Sequence, residues 1–229
     1  MKKLLYKEFT LSMHPMCYVF ALVFPILILI PNFPLFVGTL YIIPSFSILF
    51  LGANKGKQSN DLFYTALLPI RKQDIVKARL LSVIALEAIT LTMMAIFVPA
   101  KMAIEQAMGS EGQVFTTAGI ISSFAFSILG YMVVNTIFFL MFYHNGRSII
   151  APTLISTFTY LIFILVFTSV LPAVNPETGE AIIPGYYNIF VNTHPGIQFA
   201  YVGAAMVLFA IDAFLIYKKA SQELLKVDL

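Results

Sequence analysis

Few side chains in this sequence could do chemistry, and most of them fail on spacing. The run GANKGKQ, Gly52 to Gln58, comes nearest to a phosphate-binding loop. Such a loop needs four residues between its glycines and a Ser or Thr after the Lys, because the spacer builds an anion nest and the hydroxyl binds magnesium. Only three residues separate Gly52 from Gly56, Gln58 stands in the hydroxyl's place, and an apolar run precedes the loop instead of a soluble strand. No nucleotide site is expected in it. His14, His144 and His194 are scattered, none within ligand spacing of another, so no metal site is expected. The lone Cys17 excludes an internal disulfide and any multi-cysteine metal site. Neither G-x-S-x-G nor H-E-x-x-H occurs. No catalytic, cofactor-binding or metal residue is assigned. Two acids remain, Glu87 and Asp212, and both fall inside long apolar runs. Charge at such depth is costly, so these residues are expected to face a cavity or a hydrogen-bonding partner. Asn135, also inside an apolar run, is expected to act as interhelical glue.

The elements that must carry these groups follow from composition. Of 229 residues 59% are hydrophobic and 11% charged, with a mean hydropathy of +0.89. Soluble domains carry roughly a quarter charged residues, so a membrane-embedded chain is expected. A helix crossing the hydrocarbon needs about 20 apolar residues. The 38 residues from Met16 to Ala53 hold one strongly polar side chain, Asn32, and are broken by Pro31-Asn32-Phe33-Pro34. Prolines so placed remove helix donors and favour a turn, which divides the run into two spans. The expected spans are 16–31, 35–53, 79–98, 117–142, 149–171 and 196–217. Long unbroken apolar runs argue for helices over a barrel of short alternating strands. The expectation is an all-α membrane protein of six transmembrane helices in one domain.

Charge orients the spans. With the N-terminus in the cytoplasm, Lys2, Lys3, Lys7, Lys55, Lys57, Arg71, Lys72, Lys77, Arg79, Arg147, Lys218, Lys219 and Lys226 all fall on that side, and only Lys101 falls outside. That asymmetry satisfies the positive-inside rule and places both termini inside. Basic residues so arranged face a membrane, and no nucleic-acid partner is expected. With no Trp, Tyr18, Tyr64, Tyr143, Tyr186, Tyr187 and Tyr217 are the expected interface anchors. No removable signal is expected, since Lys2 and Lys3 lead into the mixed run YKEFTLS and no A-x-A site follows.

Three segments outside the spans are informative. Residues 2–13 set Leu4, Leu5 and Phe9 along one helical side and Lys3 and Lys7 along another, before His14-Pro15 interrupts. This predicts an amphipathic helix lying in the cytoplasmic interface. Residues 172–195 hold four prolines and the turn signal Asn175-Pro176-Glu177-Thr178-Gly179. Between the second and third spans, Ser59, Asn60 and Asp61 offer an N-cap and a first-turn acid. Leu62, Phe63, Leu67 and Leu68 then supply apolar bulk, and Pro69 stops the run. A cytoplasmic loop that exposes Leu and Phe beside strong charge meets a protein or membrane surface.

This layout resembles the small ABC-2-type permease subunits of bacterial ABC exporters, most closely the short Gram-positive subunits of the phenol-soluble-modulin exporter type. The likeness rests on the basic amphipathic start, two spans joined by a tight turn, and SNDLFYTALLPIRKQDIVKARLL leading into the third span. Asp61, Leu68, Pro69, Arg71, Lys72, Ile75, Val76 and Lys77 match the family's acidic turn, Leu-Pro and basic helix start. The resemblance implies a multi-pass protein of the bacterial cytoplasmic membrane that forms half of a translocation path, for an amphipathic or lipophilic substrate such as a peptide. It implies a second permease subunit, identical or sister, and a separate ATPase subunit that holds ATP and magnesium. Asn60, Asp61, Leu62, Phe63, Tyr64, Leu67, Leu68, Pro69, Arg71 and Lys72 would form the coupling helix on which that ATPase docks, and the chain itself would not be an enzyme. Glu87 and Asp212 are the residues expected along the path. Two alternatives remain. One is a secondary transporter, which would show internal repeats and several midplane polar residues, and no convincing repeat is found. The other is a non-transporting membrane scaffold, immunity or sensor subunit.

Overall fold

The computed structural model describes residues 2–13, 15–30, 35–43, 71–107, 117–145, 150–170 and 195–226. Among these residues every regular element is a helix. Helix α1 (Lys2–Lys7) runs into a π-type turn (Glu8–Ser12) and is followed by α2 (Pro15–Leu27). A 3-10 helix (Leu35–Tyr41) comes next, then α3 (Lys72–Ala107), α4 (Thr117–Asn145), α5 (Ile150–Val170) and α6 (Pro195–Lys226). The sequence-predicted coupling segment from Asn60 to Pro69, the end of the second span and the 172–194 loop lie outside the described residues.

Among the described residues three helices are long and apolar enough to cross a membrane: Lys72–Ile104 within α3, Ile120–His144 within α4 and Gly196–Lys226 within α6. The apolar part of α5, Ile150–Val166, is shorter. The α1 and α2 segments qualify together but bend by 76° at the break between them. Proline accounts for the break: Pro15 opens α2, where its missing N–H costs nothing and its fixed φ suits a first turn.

The N-terminal segment is amphipathic as the spacing predicts. Leu4 is buried, Phe9 packs on the core, and Lys2 and Lys3 are exposed. Its π-type turn closes with the Met13 N–H donating to the Glu8 carbonyl at 2.9 Å. The Tyr18 hydroxyl of α2 donates to the Phe9 carbonyl at 2.6 Å, fastening the turn to the first long helix. Glu8, which helical spacing sets on the same side as Leu4 and Leu5, is buried and accepts from Arg79 Nε of α3 at 3.3 Å.

Two helices run on beyond the spans expected of them. The third span was expected over 79–98, but α3 starts seven residues earlier and ends at Ala107, with Pro99 inside it. At about 1.5 Å per residue its 36 residues make roughly 54 Å, well beyond a hydrocarbon core of about 30 Å. An internal proline forfeits one backbone bond, and neighbouring helices and side chains of a membrane bundle can make up the loss, so the helix need not stop at Val98. Lys101, the one basic residue expected outside, is 2% exposed, and its Nζ lies 3.5 Å from the Ile30 carbonyl just past α2. Its ammonium caps the end of a neighbouring helix, where backbone carbonyls lack intrahelical donors. The sixth helix also outruns its expected end at residue 217, because Lys218, Lys219 and Lys226 extend it as an amphipathic turn beyond the apolar run.

Packing centres on α4. It packs most extensively on α6 and then on α5, while α2 packs on α3 and on the 3-10 segment. The 3-10 segment touches both α3 and α4 and fills the space between them. Lipid tails are as apolar as leucine, so close fit and interhelical polar contacts hold such a bundle, with little hydrophobic drive between helices. Aromatic pairs one turn apart line α4: Phe138 and Phe142 stack at 5.8 Å, and Phe139 and Tyr143 at 6.3 Å. Two glycines permit close approaches. A Cβ on Gly130 would sit 2.9 Å from the Tyr160 ring of α5, and one on Gly38 would sit 2.9 Å from the Met94 side chain of α3.

Candidate functional site

The two intramembrane acids meet on α4. Glu87 lies fifteen residues into α3, on a face with the buried Val83, Leu86 and Thr90. Its Oε1 accepts from Asn135 Nδ2 of α4 at 2.8 Å. Asp212 of α6 takes the next residue on α4: the Thr136 hydroxyl lies 2.8 Å from each carboxyl oxygen and 3.0 Å from the Met132 carbonyl. A hydroxyl has one proton to give, so Thr136 serves one of these acceptors at a time. Consecutive residues of a helix rise by about 1.5 Å, which sets the two acids at nearly one level in the bundle. Consecutive positions also point about 100° apart around the axis, which is how one helix serves neighbours on two sides.

The surroundings of the two acids differ. Glu87 and Asn135 are each 2% exposed. Around them lie Tyr41 of the 3-10 segment, Tyr131 of α4 and Tyr160 of α5, whose hydroxyls are within electrostatic reach of the Glu87 carboxyl. Tyr41 and Tyr131 meet edge to face with ring centroids 5.9 Å apart, and the Tyr160 hydroxyl donates to Thr39. Asp212 is half-buried, and Ile211 and Phe214, one residue before it and two after, are exposed. One acid is sealed among tyrosines, and the other opens toward the outer surface of the bundle.

A second polar cluster sits at the start of α3. Arg79 joins Glu8 there, and Lys7 Nζ approaches the other Glu8 oxygen at 3.7 Å. Of the sequence-predicted coupling residues, Arg71 and Lys72 are described: Arg71 is exposed just ahead of the helix, and Lys72 is its first residue. At the far ends of α4 and α6, His144 Nδ1 lies 3.2 Å from Glu223 Oε2, and Lys226 Nζ is 2.6 Å from Glu223 Oε1.

Sequence reasoning singled out Glu87, Asp212 and Asn135 separately, from polarity inside apolar runs. It did not join them, because single-sequence periodicity says which residues share a helix face and not which helices are neighbours. Thr136 and the three tyrosines carried no signal of their own, since Thr and Tyr are common in membrane helices. Among the described residues no group of three His, Cys, Asp or Glu side chains is disposed to hold a metal ion. No family model, curated protein or solved structure matches the chain. The reading of the site therefore rests on its own geometry.

Proposed function

We propose that the chain is the membrane-spanning permease subunit of an ATP-driven ABC exporter, with six spans, both termini in the cytoplasm, and a separate ATPase subunit bound at residues 59–72. A second permease subunit, identical or sister, completes the path, and the substrate is amphipathic or lipophilic. One observation carries the reading: α3 is a single helix from Lys72 through Glu87. A rigid rod of fifteen residues, about 22 Å, thus joins the end of the predicted docking loop to the sealed acid within the bundle. A displacement imposed on the loop would be delivered to the Glu87–Asn135 contact and, through α4, to Asp212.

The exposed apolar residues of α5 and α6, such as Phe158, Leu165, Met206 and Phe214, supply the surface that lipid and a second subunit would cover. Placing Ser at Phe63 and Leu67 together should weaken co-purification of the ATPase and abolish transport while the chain still folds in the membrane. Undiminished co-purification would refute a docking role for this loop. Two acids at one depth also fit a secondary transporter, which would run on an ion gradient in vesicles without ATP.

A further inference from the structure

Three buried polar atoms on the sealed side of α4 have no hydrogen-bond partner among the described residues: Glu87 Oε2, Asn135 Oδ1 and Tyr131 Oη. Buried polar atoms are rarely left in this way, and each such case calls for an occupant or a cost. The three belong together. Asn135 holds the Glu87 carboxyl through Nδ2, which keeps its amide oxygen next to that carboxyl. Tyr131 precedes Asn135 by one helical turn and so shares its face. Its ring is fixed edge-on by Tyr41, and its hydroxyl lies within electrostatic reach of Glu87.

All three atoms are oxygens, and an all-oxygen set of carboxylate, amide and phenol suits a hard cation. The set holds one acid, which matches a single positive charge and falls short of what a divalent ion asks. No basic side chain of α3 can offset that acid. Arg79 sits eight residues before it, about 12 Å along the axis, and is joined to Glu8. Lys101 sits fourteen residues after it, about 21 Å along the axis, at the Ile30 carbonyl. A water molecule could satisfy the three oxygens but would leave an ionised Glu87 uncompensated at a depth where charge is costly. A monovalent cation does both; a proton on Glu87 Oε2 would also neutralise the acid and could donate to its neighbours, and a salt titration separates the two.

We propose that Glu87, Asn135 and Tyr131 form a site for one alkali-metal cation inside the bundle, between α3, α4 and the 3-10 segment. The site stands apart from the transport reading, because it concerns what completes the folded bundle. A ligand that binds only the folded state raises stability with its concentration above its dissociation constant.

The test is thermal unfolding of the purified full-length chain in a non-ionic detergent, titrated with sodium, potassium or choline chloride at constant ionic strength. Sodium or potassium should raise Tm saturably over choline, and Glu87→Gln should remove the increment. Tyr131→Phe, which deletes one oxygen and keeps the ring, should raise the half-saturating concentration roughly tenfold. Equal Tm values in the three salts overturn the site and leave the oxygens to water, as does an increment that persists in Glu87→Gln. Should Glu87→Gln fail to fold, an unchanged half-saturation in Tyr131→Phe overturns it equally.

Discussion

The two sides of α4 hold the same chemistry in opposite surroundings. On one side an acid from α3 is bound by an amide and enclosed by three tyrosines; on the other an acid from α6 is bound by a hydroxyl and half open. The helices that bring the acids differ in the same sense. A third of the apolar window of α3 is buried, against 11% of that of α6. Enclosure makes a polar contact structural, because a group that loses its partner there has no water to turn to. The half-open contact instead borders an apolar outer surface, so its surroundings depend on what packs against α6.

Breaking each contact from the α4 side should expose this difference most strongly. Asn135→Leu leaves the Glu87 carboxyl without its donor in a sealed site and should cost about 3 kcal/mol or more. Thr136→Val removes the donor to Asp212, and interhelical hydrogen bonds in membranes average about 0.6 kcal/mol, so its cost should stay below about 1 kcal/mol. Reversible unfolding in mixed micelles, followed by circular dichroism, would measure both. Equal costs would mean that the two sides are equally enclosed.

Glycine substitutions sharpen the same comparison with a smaller effect. Gly130→Ala puts a methyl 2.9 Å from the Tyr160 ring and 3.1 Å from that of Phe163. Overpacking of that kind costs about 1–3 kcal/mol. Gly203 of α6 has nothing within 4 Å of the position a Cβ would take. Gly203→Ala should therefore be neutral, or stabilising by up to about 1 kcal/mol from helix propensity. A clear loss from Gly203→Ala would mean that another chain covers this face, as a permease dimer requires.

The smallest effect on stability, and the one that speaks most to transport, is expected from Asp212→Asn. The amide keeps the shape and the Thr136 contact while removing the charge. Transport of cationic substrates should fall several-fold while that of neutral ones is retained and assembly is unchanged. Glu87→Gln should impair both classes alike if its role is to hold the bundle. Selective loss of cationic transport in Glu87→Gln would put the sealed acid on the path as well.

The sequence makes some of this legible and hides the rest for identifiable reasons. The apolar runs 117–142 and 149–171 fall on helices α4 (Thr117–Asn145) and α5 (Ile150–Val170). Helices α3 and α6 run on beyond the expected spans through charged and amphipathic turns, and α3 continues through Pro99. The amphipathic character of residues 2–13 was visible in the placement of Leu4 and Phe9, whereas the pairing of Glu8 with Arg79 was not, because the two lie 71 residues apart. Lys101 was placed outside by its position beyond the third span, against its sign, and its burial depends on a tertiary contact with Ile30 that no local pattern encodes. Glu87 and Asp212 announced themselves as charges in apolar runs. Their common anchor on Asn135 and Thr136 depends on which helices adjoin, and no local pattern encodes that.

The account turns on which side of the membrane holds the loop that leads into α3, since orientation, ATPase docking and the delivery of motion to Glu87 all depend on it. Impermeant thiol labelling of intact cells decides this, using single-cysteine variants in a Cys17→Ser background. Glu105→Cys and Thr178→Cys should be labelled from outside, while Lys57→Cys and Gln222→Cys should react only after the membrane is opened. Labelling of Lys57→Cys in intact cells would put the loop outside, where no ATPase can reach it, and would contradict the account.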